Sequence, residues 1–591
     1  MAQFAYSVPY GAQLINDKHV RFAFWAPDIE LVTLEIAGRT PLLMERHEDG
    51  LHSCIVDARE GASYRYRITP DLAVPDPASR AQQDDVHGPS LLINPREFHW
   101  RHSNWQGRPW QEIVIYEIHC GCYGGFSALE KQLRYLADMG ITAIELMPIA
   151  DFSGARNWGY DGVLPYAPDS TYGTPDELKH LIDTAHGHGL CVYLDVVYNH
   201  FGPDGNYLHT YASSFFSEDN PSPWGPSIDF SQHHVREFFT HNALYWLMEY
   251  RFDGLRLDAV HAISDPDWLD ELAARIRQMC EPDRHIHLML ENERNNSAHL
   301  ERNFDAQWND DIHNVLHVLL TGEQEGYYAN YQKNPVKKLV TALTEGFVYQ
   351  GEPAPARNNR PRGTPSAHLS PYQFVFFLQN HDQVGNRALG ERLTQLTHQD
   401  ALRAAITLQL LCPQIPLLFM GEERGLTTPF LFFTDFHGEL ADAVRDGRRQ
   451  EFSAFSHFSD PQSQAKIPDP NNPGTFRRSA EYLHDVDRAE YQEWQTFYRK
   501  LLSLRHQYIV PHLRSSKSLG AMVCGEFCVS ACWKLTESKT LRVIINLGEK
   551  TVPIDPIENE IFFESKKGAG EQVRQGQAIA YSTSVFIESL S

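Results

Sequence analysis

Four apolar segments of this 591-residue chain end in side chains that can transfer protons or hydrogen-bond to hydroxyl groups. In chain order they end in Leu194-Asp195, Leu257-Asp258, Leu290-Glu291 and Asn380-His381-Asp382. A single aspartate in such a place is often only an N-cap or a turn former. Four such ends together indicate a catalytic site, because a barrel of parallel strands brings the C-terminal ends of its strands to one rim. We therefore expect a site built from several carboxyl groups.

Asp258 and Glu291 are the predicted reacting pair. Arg256 lies two residues before Asp258, so both side chains share one face of a strand, and the arginine favours an ionised carboxylate. Glu291 follows an apolar run, where burial favours the protonated acid. One ionised and one protonated carboxyl, roughly 5 to 5.5 Å apart, are what retaining glycoside hydrolysis needs. Asp382 is expected to be a third carboxylate.

Glu293 is the alternative acid, since it has the same strand parity as Glu291. It lies beyond the apolar run and beside Arg294, so we expect it in a solvated ion pair. His200 and His381 also have two interpretations, as zinc ligands or as donors to sugar hydroxyls. No cysteine or third histidine lies at ligand spacing, which favours the donors.

Aromatic side chains in the same regions could stack on sugar rings. The candidates are Trp158, Tyr160, Trp308 and Phe430. A lone loop aromatic more often packs inside its own loop. Position alone therefore favours only Tyr160, in the segment Trp158-Gly159-Tyr160-Asp161-Gly162, as a residue that faces substrate.

These residues need a scaffold of strands that end together. From about residue 113, apolar strands alternate with amphipathic helices, a pattern typical of parallel βα units. The predicted strands are Ile113 to His119, Ile141 to Ile149, Cys191 to Val197, Phe252 to Asp258, His285 to Glu291, Ala306 to Trp308, Phe374 to Asp382 and Ile415 to Glu423. Eight strands predict an α/β fold of the (β/α)8 TIM-barrel type rather than an open doubly wound sheet.

Two helices carry clear boundary signals. The first is predicted to begin with Ser127 as N-cap and to stop at Gly140. The second has Thr174 and Glu177 spaced as a capping box and Gly189 as its stop.

Short β runs flank the predicted barrel. We expect an N-terminal β-sandwich of a carbohydrate-binding kind at 1–100, a catalytic barrel at 101–505 and a small C-terminal β domain at 506–591. A chain of this length exceeds what one hydrophobic core usually supports, which favours three domains.

Composition and net charge indicate which kinds of molecule the protein is expected to bind. Apolar residues make up 42% and charged residues 22%, and no apolar run approaches the roughly 20 residues of a membrane span. The net charge of −24 argues against nucleic acid and anionic membranes, which attract basic patches. Nine cysteines without a disulfide framework and an amino terminus without a signal pattern predict a cytoplasmic protein with reduced thiols.

The blocks Asp195 to His200, Gly254 to Asp258, Glu291 and Asn380 to Asp382, in this order and spacing, resemble the α-amylase superfamily of glycoside hydrolases. The resemblance implies that Asp258 forms the glycosyl-enzyme bond, Glu291 is the acid/base and Asp382 holds the distorted sugar by its hydroxyls. The other residues that it places at the sugar are Tyr160, Asp195, His200, Arg256 and His381.

Further stretches are similar to one family of that superfamily, the maltooligosyltrehalose trehalohydrolases. They are Asp258 to Ile263, Gln307 to Asp311, Leu319 to Tyr328, Gln379 to Arg387 and Phe419 to Asp435. The similarity implies cleavage of the α-1,4 bond next to the terminal trehalose of maltooligosyltrehalose, without a cofactor. The additional substrate-binding residues that it implies are His261, Gln307, Trp308, Asp310, Asp311, Gln383 and Asn386.

Two other functions stay open at this point. A glycogen branching or debranching enzyme would share the domain order but differ after the third carboxylate, where this chain has Gln383. A non-catalytic glucan-binding protein could use the same barrel. Relatives often hold calcium near the equivalent of Asn199, but no dense aspartate cluster accompanies it, so no required metal is expected.

Overall fold

The central unit is a closed barrel of eight parallel strands that pair in chain order. The computed structural model describes residues 4–16, 18–222, 225–453, 455–458 and 460–589. The barrel strands are β1 (Ile115–Ile118), β2 (Ala143–Leu146), β3 (Cys191–Val196), β4 (Gly254–Leu257), β5 (His287–Leu290), β6 (Ala306–Trp308), β7 (Phe374–Phe377) and β8 (Ile415–Phe419). Each lies inside one of the predicted segments, so the predicted (β/α)8 barrel is confirmed.

Helices cover the outside of the barrel and continue into the chain after it. They are α1 (Phe126–Glu130), α2 (Leu133–Met139), α3 (Pro175–Gly187), α4 (His233–Met248), α5 (Asp267–Met279), α6 (Asp310–Thr321), α7 (Pro335–Glu345), α8 (His381–Gly385), α9 (Leu393–Leu396), α10 (Gln399–Leu411), α11 (Gly438–Phe452), α12 (Pro461–Gln464), α13 (Pro473–Ala480), α14 (Gln492–Leu504) and α15 (Ala569–Arg574). A single 3-10 turn, Ser297–His299, stands between β5 and β6. None of the helices in the described chain combines the length and apolar character needed to cross a bilayer.

The helix boundaries show where local signals succeed. Helix α3 begins with the predicted capping box, in which the side chains of Thr174 and Glu177 bond to each other's backbone N–H. Helix α2 ends at Gly140, which has a φ of 103°. The prediction of Ser127 as an N-cap is wrong, because the N-cap of α1 is Gly125, two residues earlier, with a φ of 93°. The single helix predicted up to Gly140 is divided into α1 and α2. The Ser127 hydroxyl instead donates to Glu177 at 2.7 Å.

The N-terminal unit consists of two antiparallel sheets packed face to face. The first contains Gly11–Leu14, His19–Trp25, Leu51–Asp57 and Glu45–Arg46, and the second contains Leu42–Leu43, Thr33–Ile36, Ser63–Thr69, Leu72–Val74 and Ser90–Leu91. Phe22 of the first sheet contacts Tyr64 of the second at 4.9 Å between ring centroids, and Phe24 contacts Tyr66 at 4.3 Å. This is the expected β-sandwich.

The C-terminal unit contains a five-stranded antiparallel sheet. Its strands are Lys517–Gly525, Cys528–Thr536, Lys539–Asn546, Ser582–Ser589 and Ile561–Glu564, beside a pair formed by Val552–Pro553 and Gln577–Ala578. Small hairpins elsewhere pair Ala150–Asp151 with Leu164–Pro168, Phe216–Ser222 with Gly225–Ile228, and Pro353–Ala354 with Arg360–Pro361.

A buried ion pair joins the N-terminal unit to the barrel. The Arg80 guanidinium lies 2.6 Å from the carboxylate of Glu249, which directly follows α4, and both side chains are buried. Glu249 also accepts a hydrogen bond from the backbone N–H of Tyr6 at 3.0 Å, while Arg80 donates to the Tyr6 carbonyl at 2.9 Å. Arg80, Glu249 and Tyr6 thus each have a hydrogen-bond partner within this small network.

We expect Arg80→Ala to lower the free energy of unfolding by about 3 to 5 kcal/mol, because Glu249 would stay buried without its counter-ion. Denaturant titration followed by circular dichroism measures this loss. The control is Asp138→Ala, which removes the exposed pair with Arg134 and is expected to cost less than about 1 kcal/mol. Equal losses in the two variants would contradict a role for burial.

Candidate active site

One buried guanidinium gathers three carboxyl groups at the carboxyl ends of β3, β4 and β5. Arg256 Nη1 lies 2.7 Å from Asp195 Oδ2 and 2.8 Å from Asp258 Oδ1. Its Nη2 lies 3.1 Å from Glu291 Oε2, as an ion-pair contact outside hydrogen-bond geometry. The parallel register of β3 and β4 sets Asp195 directly opposite Arg256. The predicted meeting of these strand ends is therefore observed.

Asp258 stays ionised in this setting. Burial on its own raises the pKa of Asp258, but the Arg256 guanidinium opposes burial and, with His200 and a hydrogen bond from Asn199, holds the pKa below its ordinary value. The Asn199 amide donates to Asp258 Oδ2 at 2.9 Å and to the Asp258 carbonyl at 2.8 Å. An ionised carboxylate held at a fixed angle is what a nucleophile requires.

For Glu291, the effects of burial and of neighbouring charges raise the pKa instead of lowering it. Burial raises its pKa well above the ordinary value, and the charges of Asp258 and Asp382 add to burial against the opposing effect of Arg256. The backbone N–H of Ala259 donates to Glu291 Oε2 at 2.8 Å. Ala259 reaches this position with a φ of 39°, in the left-handed region that costs a non-glycine residue about 1 kcal/mol. Both described contacts fall on Oε2, which leaves Oε1 to carry the proton.

Asp382 reaches the site from the first turn of α8. Asn380 caps this helix by accepting the backbone N–H of Gln383 at 2.8 Å. The Asn386 amide donates to Asp382 Oδ1 at 3.1 Å. The carboxyl group is 36% exposed, more than the side chains of Asp258 and Glu291, so it is open to hydroxyl groups in the cleft.

His381 is held by a glutamate that the sequence analysis did not single out. Glu117 of β1 accepts the backbone N–H of His381 at 2.9 Å and also bonds to the ring Nδ1. Burial lowers the pKa of His381, but Glu117 and then Asp382 outweigh burial and raise it to about 9. An acidic residue inside the apolar run of β1 was the signal that could have identified Glu117.

Tyr160 and His200 join the loops around the site. The Tyr160 hydroxyl donates to Asp195 Oδ2 at 2.5 Å, and its ring stacks on His381 with centroids 5.0 Å apart. His200 Nε2 lies 2.9 Å from the Tyr160 carbonyl, and its Nδ1 contacts the side chain of Asn199. Burial lowers the pKa of His200, and the charges of Asp258 and Asp161 oppose this effect.

Five of the predicted sugar-binding side chains are covered by other parts of the protein. Asp195, Gln307, Trp308, Asp311 and His381 are at most 2% exposed. Gln307 donates to the Asn292 carbonyl at 3.0 Å, and the Trp308 ring lies 4.2 Å beneath the Arg256 guanidinium.

Asp311 is occupied by donors behind the barrel rim. It accepts from Asn295 and from the backbone N–H of Val348, and it forms an ion pair with Arg362 at 3.1 Å. These buried residues support the site rather than line it. Arg256 is itself fully buried, so it acts on the cleft through the carboxyl groups.

Four other predicted residues are only partly buried. They are His261, Asp310, Gln383 and Asn386. Burial raises the pKa of Asp310 to about 7, with Arg362 opposing this and Asp382 and Asp311 adding to it.

Glu293 lies outside the buried set. Its side chain is 53% exposed, 3.7 Å from His261 and 3.9 Å from Arg357. The predicted solvated position agrees with this exposure, but the predicted partner Arg294 is wrong. Trp158 and Phe430 stack on each other in the loop core and are buried, as expected for lone loop aromatics.

Several of these side chains are of types that can also bind metal ions. Among the described residues, no group of three or more His, Cys, Asp or Glu side chains has the arrangement to hold a metal ion. Asn199 directs its side-chain N–H groups at Asp258, and its Oδ1 contacts His200 Nδ1. Both ends of this amide therefore take part in contacts within the site.

Comparison with known proteins agrees with this arrangement. The family model described as the catalytic domain of α-amylase matches residues 92–224. The chain is 40% identical to the malto-oligosyltrehalose trehalohydrolase of Deinococcus radiodurans, over 84% of this chain and 83% of the relative. It is 38% identical to that of Saccharolobus solfataricus, over 84% and 86%.

A solved structure matches over nearly the full length. The crystal structure of an α-amylase-type protein from Salmonella typhimurium has a TM-score of 0.92 at 41% identity, and the match covers 99% of this chain and 100% of that one. The barrel, the carboxyl groups at its rim and the identity to curated relatives agree with the expected resemblance. The chain therefore belongs to the malto-oligosyltrehalose trehalohydrolase family of α-amylase-type glycoside hydrolases.

Proposed function

We propose that this protein hydrolyses the α-1,4-glucosidic bond next to the terminal trehalose unit of a maltooligosyltrehalose, releasing trehalose and a shortened maltooligosaccharide with retention. The observation that carries the proposal is that Asp258 and Glu291 both contact one buried guanidinium, at 2.8 and 3.1 Å. In this setting the pKa of Asp258 is lowered and that of Glu291 is raised. Retaining hydrolysis needs that pair of states. The substrate class rests on the relatives, whose curated names are trehalohydrolases.

The first half of the reaction uses both groups at once. Asp258 attacks the anomeric carbon of the glucose unit before the trehalose, while Glu291 gives its proton to the leaving oxygen. Trehalose leaves, and the sugar stays bound to Asp258 as an ester. Asp382 accepts hydrogen bonds from sugar hydroxyls and stabilises the distorted ring.

The second half regenerates the enzyme. Glu291, now ionised, removes a proton from a water molecule as that water attacks the anomeric carbon. The ester bond to Asp258 breaks, so its carboxylate is restored and Glu291 is again protonated. Arg256 contacts both carboxyl groups throughout, which limits the build-up of uncompensated charge as the proton moves.

The location and the domain limits are also proposals. We propose a cytoplasmic protein, which the nine unpaired cysteines support because reduced thiols persist in that compartment. We propose domain limits near residues 100 and 505, supported by the end of the last sandwich strand at Leu91 and the start of the C-terminal sheet at Lys517.

Asp258→Asn should lower kcat by roughly 10⁴-fold or more, because the neutral amide cannot form the glycosyl ester. The matched test of the acid is Glu291→Gln against Glu293→Gln. We expect the first to be nearly inactive and the second to retain most activity, since Glu293 is exposed. Steady-state rates with maltotriosyltrehalose measure all three, and an inactive Glu293 variant with an active Glu291 variant would reverse the assignment.

Purified protein should release free trehalose from maltotriosyltrehalose and leave plain maltooligosaccharides nearly untouched. Chromatography of the products distinguishes the two substrates. Rapid cleavage of maltopentaose would refute the specificity for a trehalose end. New α-1,6 linkages in amylose products would indicate a branching enzyme instead.

Arg256→Met should move the acid limb of the kcat/KM profile to higher pH. Arg256 opposes the effect of burial on Asp258, so its loss lets the pKa of Asp258 rise and the carboxylate is protonated at higher pH. Because only the carboxylate attacks, the variant loses activity from the acid side. The control is the exposed Arg294→Met, whose acid limb should match the wild type; an unmoved limb in Arg256→Met would refute the pKa argument.

A further inference from the structure

Two glutamates lie side by side on neighbouring barrel strands beneath the cleft. Glu117 of β1 and Glu145 of β2 are register partners, and each is 1% exposed. Glu117 accepts two hydrogen bonds from His381, one from the backbone N–H and one from the ring. Neither oxygen of Glu145 has a hydrogen-bond partner in the described chain. The two glutamates are therefore equally buried, but only Glu117 is hydrogen-bonded to a residue of the site.

The contact with Glu117 determines how His381 presents its ring. A carboxylate only accepts hydrogen bonds, so the Nδ1 of His381 must be the donor. The other nitrogen, Nε2, then lies 3.5 Å from Asp382 Oδ1. The ring is held between Tyr160, stacked at 5.0 Å, and the edge of Trp158 at 5.7 Å. The ring is therefore restricted in position and in tautomer.

Charged and titratable groups face His381 from several elements. They are Glu117 of β1 with His119 just after it, Glu145 of β2, Asp195 of β3, Arg256 of β4 and Asp382 of its own helix. Burial raises the pKa of Glu145 well above its ordinary value, and Glu117 and Asp195 add to this, so Glu145 is a neutral acid. Of the two glutamates, only Glu117 contacts the His381 ring in the described chain.

We propose that Glu117 is a positioning residue for the hydrolysis, acting through His381: it holds the ring with Nδ1–H on its own carboxylate and Nε2–H directed toward Asp382. This inference rests on the proposed function, since it concerns the same cleft. A charged histidine donates from both nitrogens, whereas a neutral one donates from only one. The role of Glu117 is to keep the second donor available at neutral pH.

The test is the ratio of kcat/KM for Glu117→Gln to that of the wild type, measured on maltotriosyltrehalose between about pH 5.5 and 8. Glu117→Gln removes the main charge that opposes burial at His381, so the ring loses its proton at lower pH than in the wild type. We expect a ratio within a few-fold of one at the acid end, falling about 10- to 100-fold toward the alkaline end. A purely structural role would lower activity equally at every pH.

Glu145→Gln is the matched control, because glutamine has the shape of the neutral acid that it replaces. Its ratio should stay near one across the range. A pH-dependent loss like that of Glu117→Gln would show that any change in this layer of the barrel disturbs the site, and it would overturn the proposal. So would a ratio for Glu117→Gln that does not change with pH.

Two further variants keep the test decisive. In a His381→Asn background, Glu117→Gln should cause no additional pH-dependent loss, because its effect passes through the ring. If circular dichroism shows that Glu117→Gln does not fold, Glu117→Asp replaces it: this variant keeps the charge, so kcat should fall with a ratio that does not vary with pH. A pH-dependent ratio for Glu117→Asp would count against the proposal.

Failure of the proposed function gives a different result. If the wild type cleaves another α-1,4-glucan and releases no trehalose, the substrate assignment fails. The same ratios can then be measured on the glucan that is cleaved, and they still decide the role of Glu117.

Discussion

Burial of one arginine among the carboxyl groups at the barrel rim is the interaction on which the site depends. Arg256 has no exposed surface and contacts Asp195, Asp258 and Glu291. An unpaired buried guanidinium would be very costly, and so would the carboxylates without it. One cation cannot neutralise three carboxylates, so the groups must divide between ionised and protonated states. That division supplies the unlike pair of acids in the proposed reaction.

Burial and the side-chain donors around each carboxyl decide which state it takes. Asp258 receives the Asn199 amide as well as Arg256, and these donors favour the ionised form. Glu291 receives the Ala259 N–H from a left-handed turn that follows the nucleophile directly. That turn ties the position of the acid to the position of Asp258. A relative shift of β4 and β5 by one residue would separate them.

A second buried cation extends the same principle to the other side of the cleft. His381 lies between Glu117 and Asp382, so the layer beneath the cleft contains two cations and a larger number of carboxyl groups. Neutral acids such as Glu145 complete the balance. Changing one member of this layer shifts the proton affinity of the others. A substitution in this layer therefore changes the charges around the site as well as its packing.

The sequence by itself determined the eight strands, their order, the polar residues at their ends and the pairing of Arg256 with Asp258, because these follow from periodicity along a strand. Contacts between segments that are distant in the sequence could be seen only in the tertiary structure. Glu117 meets His381 from 264 residues away, Asp311 is closed off by donors from other loops, and Glu293 faces Arg357 instead of its neighbour Arg294. Gly125 rather than Ser127 is the N-cap of the first helix. The local sequence pattern predicts on which face of a strand or helix a side chain lies. Its contact partner on that face depends on how the barrel closes, because the partner comes from a distant segment.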